Sequence, residues 1–120
     1  NIGIWYRNDQ DYSKSVEYYE KSLKIKEELG DKRNMGKTLN NIGNIYFLMG
    51  EYENSIANYS RSIEIKEELQ DNKGLAFTLN SIAKVYIEMG QKNKAVAYYK
   101  KSASLNNKSA QEWLIENGYP

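Results

Sequence analysis

The sequence of this chain repeats itself with a period of 40 residues. Residues 1–40 and 41–80 carry the same amino acid at 17 of 40 aligned positions, and a fainter third copy begins at Ser81. The matches include three tyrosine pairs, Tyr6/Tyr46, Tyr12/Tyr52 and Tyr19/Tyr59. Self-similarity at a fixed period of about 20–50 residues is typical of stacked repeats, in which each unit contacts only its neighbours. The period therefore predicts an extended array with a thin continuous core.

Within each period the apolar residues recur at helical spacing. Leu39, Ile42 and Tyr46 form one stripe of a helix that Gly50 ends. A second helix is predicted from Tyr52 to about Leu69, and residues 71–74 (Asp-Asn-Lys-Gly) have the composition of a turn. Each period is thus a helix A, a tight turn, a helix B and a short loop, and the fold class is all-α.

Small residues recur at fixed positions of both helices. They are Gly3, Gly43 and Ala83 in helix A, and Ser15, Ser55 and Ala95 with Ser22, Ser62 and Ser102 in helix B. Glycine and serine are disfavoured inside helices by several tenths of a kcal/mol up to about 1 kcal/mol. Their recurrence at one register predicts that the backbones of the two helices approach closely there.

These residues resemble the tetratricopeptide repeat. Two sets follow the spacing of that family, namely Leu39, Ile42, Gly43, Tyr46, Ser55, Tyr59, Ser62 and Leu79, Ile82, Ala83, Tyr86, Ala95, Tyr99, Ser102. The chain departs from the family in its 40-residue period, where about 34 is usual, in its helix-B serines and in lacking a proline at the repeat end. The long form is similar to repeats of kinesin light chains and of bacterial sensor and regulatory proteins.

The resemblance implies an α-solenoid of antiparallel helix pairs. We expect a partial repeat over 1–34, full repeats over 35–74 and 75–106, and a capping helix over 107–118, all in one domain that is a fragment of a longer protein. The run from Ser109 to Glu112 reads as a capping box that begins the last helix, and Gly118 as the residue that ends it.

A second stripe of helix A is the predicted binding site, because the resemblance implies that this face lines a concave groove. The predicted groove residues are Lys37, Asn40, Asn41, Asn44, Phe47, Phe77, Asn80, Lys84 and Ile87. Asparagine amides can pair with a peptide backbone, aromatic side chains commonly anchor interfaces, and lysines attract carboxylates. The alternative interpretation is an ordinary polar helix surface.

The composition excludes several functional classes. The chain has no histidine and no cysteine, so it lacks the commonest general base, the commonest metal ligand and any thiolate. We therefore expect no catalysis, no cofactor, no metal and no small-molecule substrate. No apolar run is long enough to span a bilayer. The expected compartment is the cytoplasm, with an extracytoplasmic sensor region of a membrane-bound parent as the alternative.

The resulting functional hypothesis is a module that binds a protein or an extended peptide, as the sensing or interaction region of a signalling or regulatory protein. The richness in Lys, Asn, Ile and Tyr is typical of an AT-rich bacterial genome. The first alternative is a rigid spacer or a self-association element that uses an incomplete N-terminal edge, Ile2, Ile4, Trp5 and Tyr6. A weaker alternative is RNA binding through the basic last repeat, Lys92, Lys94, Lys100, Lys101 and Lys108, although aromatic platforms for base stacking are not interleaved in that sequence.

Overall fold

The described part of the chain is entirely helical. We analysed a computed structural model that describes residues 9–119, with side chains described for 11–119. It contains α1 (Asp9–Leu29), α2 (Lys32–Leu48), α3 (Tyr52–Glu68), α4 (Asn72–Glu88), α5 (Lys92–Ser104) and α6 (Lys108–Glu116), and no strand within those residues. The expected all-α class is confirmed. The N-terminal edge formed by Ile2, Ile4, Trp5 and Tyr6 lies outside the described residues.

Consecutive helices pack side by side as antiparallel pairs. The Ser55 hydroxyl of α3 donates to the carbonyl of Gly43 in α2, at 2.7 Å. Seven residues further along α3, the Ser62 hydroxyl donates to the carbonyl of Gly36, at 2.9 Å. Because the partner moves backwards along α2 as α3 advances, the two helices run in opposite directions. The same Ser–carbonyl contact joins Ser102 of α5 to Ala76 of α4, so the pairing recurs and the predicted α-solenoid is confirmed.

The small residues do mark close helix contacts. A Cβ added at Gly43 would lie 2.8 Å from the ring of Tyr59, which is only 2% exposed. The equivalent Ala83 belongs to a buried cluster with Ala95 and Tyr99 of α5. The predicted approach is therefore confirmed, and the serine–carbonyl hydrogen bonds are an additional feature that the spacing alone did not predict.

The first turns of the A helices begin earlier than the sequence predicted. Asp71 is the N-cap of α4, and its carboxylate accepts from the backbone N–H of Gly74 at 3.0 Å. The predicted turn over 71–74 was therefore wrong, because these residues form the cap and the first helical turn. Likewise Asn107, and not Ser109, caps α6 by accepting from the N–H of Ala110 at 2.9 Å.

A left-handed residue follows each of the six described helices and reverses the chain. Four of these residues are glycines, among them Gly118 as predicted, but the third is Gln70 with φ 56° and the fifth is Asn106 with φ 69°. After α3, the Asp71 N–H donates to the carbonyl of Lys66 at 2.9 Å, which is the bond expected of this helix-ending motif. The turn after α3 was misplaced because glutamine carries no left-handed signal in the sequence.

The last helix, α6, lies against α5. Ala110 and Leu114 are buried, and the Trp113 ring stacks on Tyr99 with a centroid distance of 4.1 Å. Trp113 and Tyr119 also pack against the cluster of Ala83, Ala95 and Tyr99 that joins α4 to α5. The side of α6 that faces α5 is thus covered.

Candidate functional site

Helix α2 turns one narrow arc of side chains to the solvent. Lys37, Asn41 and Leu48 are exposed, and Asn44 between them is half-buried. Their spacings of four, three and four residues place them on one face of the helix. Helix α3, the neighbouring helix α4 and the preceding helix α1 contact other faces of α2. Besides this arc, the exposed residues of α2 are Lys32 and Arg33 in its first turn.

Helix α4 presents the equivalent arc one period later. Phe77, Lys84 and Glu88 are exposed and Ser81 is half-buried. Phe77 has 58% of its surface exposed, which is unusual for a phenylalanine in the middle of a 17-residue helix. We call the two arcs together the helix-A surface; it consists of Lys37, Asn41, Asn44, Leu48, Phe77, Ser81, Lys84 and Glu88.

A hydrogen-bond network holds the two arcs next to each other. The Thr78 hydroxyl of α4 donates to the side-chain oxygen of Asn40 in α2, at 2.9 Å. The Lys66 ammonium of α3 donates to the same hydroxyl at 2.7 Å. Because Asn41 and Phe77 are the sequence neighbours of Asn40 and Thr78, they lie beside this junction on the solvent side. The arcs of α2 and α4 are therefore parts of one continuous surface.

The predicted groove residues divide between this surface and the interior. Lys37, Asn41, Asn44, Phe77 and Lys84 lie on the helix-A surface, and Ile87, 36% exposed, lies at its edge.

The other three predicted residues face neighbouring helices. Asn40 is 7% exposed and accepts from Thr78; the amide of Asn80 donates to Asn107, the N-cap of α6, at 2.8 Å. Phe47 is half-buried against Tyr52, with ring centroids 5.8 Å apart. Asn40 and Asn80 are equivalent residues, and each hydrogen-bonds the next A helix or its cap. The exposed stripe thus includes five of the predicted residues together with Leu48, Ser81 and Glu88, which the sequence analysis did not name.

The buried contacts beneath the surface perturb two ionisable groups. Burial lowers the pKa of the Lys66 ammonium, and it raises the pKa of Tyr59 to about 12. The Tyr59 hydroxyl donates to the side-chain oxygen of Asn44, so one residue of the surface is held from below. The Lys66 and Tyr59 side chains are themselves buried and contact the surface from beneath.

The Lys66 contact repeats, and its recurrence was a signal that the sequence analysis overlooked. Forty residues earlier, the Lys26 ammonium donates to the Thr38 hydroxyl at 2.9 Å. Both Lys26/Lys66 and Thr38/Thr78 are among the identities between the two copies. A basic and a hydroxyl residue conserved between copies at an offset of twelve indicate a contact between helix B and the next helix A.

The basic last repeat does contain aromatic rings among its lysines, contrary to expectation. The ammonium groups of Lys92 and Lys100 lie 6.0 and 5.8 Å from the centroid of the Tyr119 ring, and that of Lys94 lies 5.5 Å from Tyr86. The rings are stacked on one another, Tyr86 on Tyr98 at 5.4 Å and Trp113 near Tyr119 at 6.4 Å. Their faces are therefore largely occupied and are poor platforms for unstacked bases.

The described residues also bear on metal binding and on membrane spanning. Between residues 9 and 119, no group of His, Cys, Asp or Glu side chains is arranged to hold a metal ion. The helices of that same stretch are all too short or too polar to cross a membrane.

Comparison with known proteins supports the interpretation of the fold. Two models described as "Tetratricopeptide repeat" match the chain, one over residues 34–108 and the other over residues 1–33. The chain belongs to the tetratricopeptide repeat family. Tetratricopeptide arrays serve as protein-interaction scaffolds, so the helix-A surface belongs to a scaffold of this kind.

The curated relatives of this tetratricopeptide array resemble only part of it. Proteins named "Photosystem I assembly protein Ycf3" from Prochlorococcus marinus strains NATL1A and NATL2A are each 43% identical to it over 49 residues. The match covers 41% of this chain and 27% of the relative. The chain thus spans about a quarter of the length of these relatives.

Proposed function

We propose that this tetratricopeptide array binds an extended segment of a partner protein across the helix-A surface. The main support for the proposal is the exposed Phe77 beside the Asn40–Thr78 junction. Polar side chains of both α2 and α4 surround it on the helix-A surface. A buried junction makes the surface rigid, and a preorganised surface loses less entropy when it binds.

The chemistry of the surface suggests what the segment contains. Phe77 and Leu48 offer apolar contact, and Lys37 and Lys84 offer positive charge at exposed positions. Asn41 and Ser81 can hydrogen-bond to a peptide backbone. We therefore expect a segment that combines an apolar side chain with at least one carboxylate.

We propose two alternative biological settings for the array. The long repeat form supports an interaction or sensing region of a multidomain signalling or regulatory protein, located in the bacterial cytoplasm. The name of the Prochlorococcus relatives favours a second setting, in which the array holds protein subunits during assembly of a larger complex. In both settings the array has no catalytic role and acts by binding protein.

The proposal is tested with a peptide selected on the intact chain from a random display library, its affinity being measured by calorimetry. We expect Phe77→Ala combined with Lys84→Ala to weaken binding roughly tenfold or more, since interface anchors of this type are typically worth above about 1 kcal/mol each. Both side chains are exposed, so the melting temperature should change little.

The matched control is Lys24→Ala combined with Glu64→Ala, two exposed positions on the B helices. The control should bind the peptide as the unchanged chain does. Failure to select any peptide, equal affinity for the Phe77/Lys84 variant, or equal loss in the control would contradict the proposal.

A further inference from the structure

A second, unfilled groove lies between α5 and α6. It has a volume of about 500 Å³ and is lined by Lys100, Ala103, Ser104, Gln111, Leu114, Ile115 and Tyr119. Ile115 at this groove is 67% exposed. Together with Ala103, Leu114 and Tyr119 it forms an apolar surface with polar residues at its rim, which is a typical composition of an interaction site.

The equivalent groove at the preceding junction, between α3 and α4, is filled by α5. Ser102 of α5 donates to the Ala76 carbonyl of α4 at 2.9 Å. Tyr98 of α5 and Ile63 of α3 pack against one core cluster, and Ile63 precedes the groove residue Ala103 by 40 positions. Because the repeat places a B helix in this groove at the preceding junction, a helix of the B type should also fit the α5–α6 groove. In the described chain no helix occupies it.

Helix α1 is a B helix with the complementary face uncovered. Tyr18, Ile25 and Leu29 are 69%, 57% and 75% exposed, and their spacings of seven and four residues place them on one side of α1. The counterpart of Ile25 is Ile65, which lies against Gly36 in the first half of α2. No part of the described chain provides such a first half of helix A for α1.

The exposed tyrosine of α1 fits the same pattern. Tyr18 lies 80 residues before Tyr98, the aromatic residue that packs at the α3–α4–α5 junction. When α1 takes the place of the next B helix after α5, Tyr18 meets Ala103, where a smaller side chain than Ile63 leaves room for the ring. Ile25 and Leu29 then face α6.

We propose that a second copy of this chain docks its α1 into the α5–α6 groove, where α6 packs against α1 as the first half of a helix A packs against its B helix. Charge favours this pairing, because α5 carries four lysines and no acidic residue, whereas acidic residues outnumber basic ones in α1. The interface joins two different surfaces, so it is head-to-tail. Successive copies extend the array into an open chain, or close into a ring if the rotation permits.

The test uses one variant at each edge of the intact chain, measured by sedimentation over a concentration series. Ile25→Glu damages the α1 face, and Ile115→Glu damages the groove. The average mass of the unchanged chain should rise with concentration. Each variant alone should stay monomeric, with its association weakened roughly tenfold or more by the buried charge. Both sites are exposed, so circular dichroism should show unchanged helix content.

Mixing the two variants distinguishes a head-to-tail interface from other modes. Ile25→Glu retains the intact groove and Ile115→Glu retains the intact α1, so the mixture should form a 1:1 dimer and nothing larger. A mixture that remains monomeric would overturn the proposal. An unchanged chain that is monomeric throughout the concentration series would overturn it too, and the groove would then belong to a different occupant.

Phe77→Glu is the matched control, because it places the same charge at an exposed apolar residue of the helix-A surface. It should abolish peptide binding and leave self-association intact. Loss of self-association in this control would show that copies meet through the helix-A surface and would contradict the docking of α1. The peptide and the sedimentation measurements can thus fail independently.

Discussion

At the scale of single residues, hydroxyls and glycines set the distance between paired helices. Ser55 and Ser62 replace the alanines usual in this family, and both hydroxyls donate to carbonyls of α2. A hydroxyl completely removed from water costs free energy unless it finds a partner. The serines therefore tolerate full burial because the opposing backbone approaches closely enough to accept from them.

The two glycines inside α2 should respond in opposite ways to alanine. At Gly43 the new Cβ would be 2.8 Å from the Tyr59 ring, whereas at Gly36 the nearest atom, on Ile65, is at an ordinary 3.5 Å. We expect Gly43→Ala to lower the free energy of unfolding by about 1–3 kcal/mol through overpacking. Gly36→Ala should be neutral or stabilise by up to about 1 kcal/mol, because alanine favours helix.

Chemical denaturation of both variants measures the difference. An equally neutral or stabilising effect in both variants would mean that helix propensity, and not the contact with Tyr59, determines the effect at Gly43.

Buried tyrosines make the fold sensitive to alkaline pH. Burial raises the pKa of Tyr59 to about 12 and also raises the pKa values of Tyr46, Tyr86 and Tyr99. Above pH ~10 the unfolded chain loses phenolic protons that the folded chain retains, so the free energy of unfolding falls as pH rises towards 12. The lowered pKa of Lys66 has the opposite effect, because it makes the free energy of unfolding rise with pH. Lys66 is a single group, however, whereas four tyrosines act in the other direction.

The expected result is a lower denaturation midpoint at pH 11 than at pH 8. Tyr59→Phe should reduce that pH-dependent loss while weakening the fold at pH 8 through its missing bond to Asn44. A midpoint that is constant between pH 8 and 11 would contradict this account of the buried phenols.

At the scale of helices, the sequence predicted the elements well and the orientation of helix A less well. The apolar period located every helix after Met35 to within a few residues, because one stripe of each helix is buried throughout. Of the nine predicted groove residues, Asn40, Phe47 and Asn80 contact neighbouring helices, since periodicity identifies the buried centre of a helix but not how far round the helix its contacts extend. Asn40 and Asn80 look like surface residues in the sequence, yet they bind the next helix.

The buried junction between α3 and α4 should be energetically coupled. Thr78→Val removes the acceptor of the Lys66 ammonium and the donor to Asn40, so we expect a loss of about 2–3 kcal/mol in the free energy of unfolding. Adding Lys66→Met should recover about 1 kcal/mol, because the buried ammonium, which keeps only its 3.3 Å bond to the Gly74 carbonyl in the Thr78 variant, is then removed.

Thr38→Val provides the control in the preceding repeat. Its partner Lys26 is only half-buried and also donates to Ser22 at 2.9 Å, so the loss should be smaller, about 0.5–1.5 kcal/mol. Strict additivity of the Lys66 and Thr78 substitutions in a double-mutant cycle would show that this network is not an energetic unit.

At the scale of the whole molecule, one junction geometry is used repeatedly. Ser62 and Ser102 make the same contact 40 residues apart, and so do Lys26 and Lys66. Repetition of a junction brings equivalent arcs of successive A helices side by side, which is how a repeat array presents an extended surface. Within residues 9–119, one exposed apolar face lies on α1 and one open groove lies between α5 and α6.

The most direct test of the central claim is to map a bound peptide on the chain by NMR. The amide shifts of the intact, isotope-labelled chain are followed as a library-selected peptide is added. The account predicts that the largest changes cluster at Lys37, Asn41, Leu48, Phe77 and Lys84. The largest changes along the exposed faces of α3 and α5, with the helix-A surface unaffected, would contradict it.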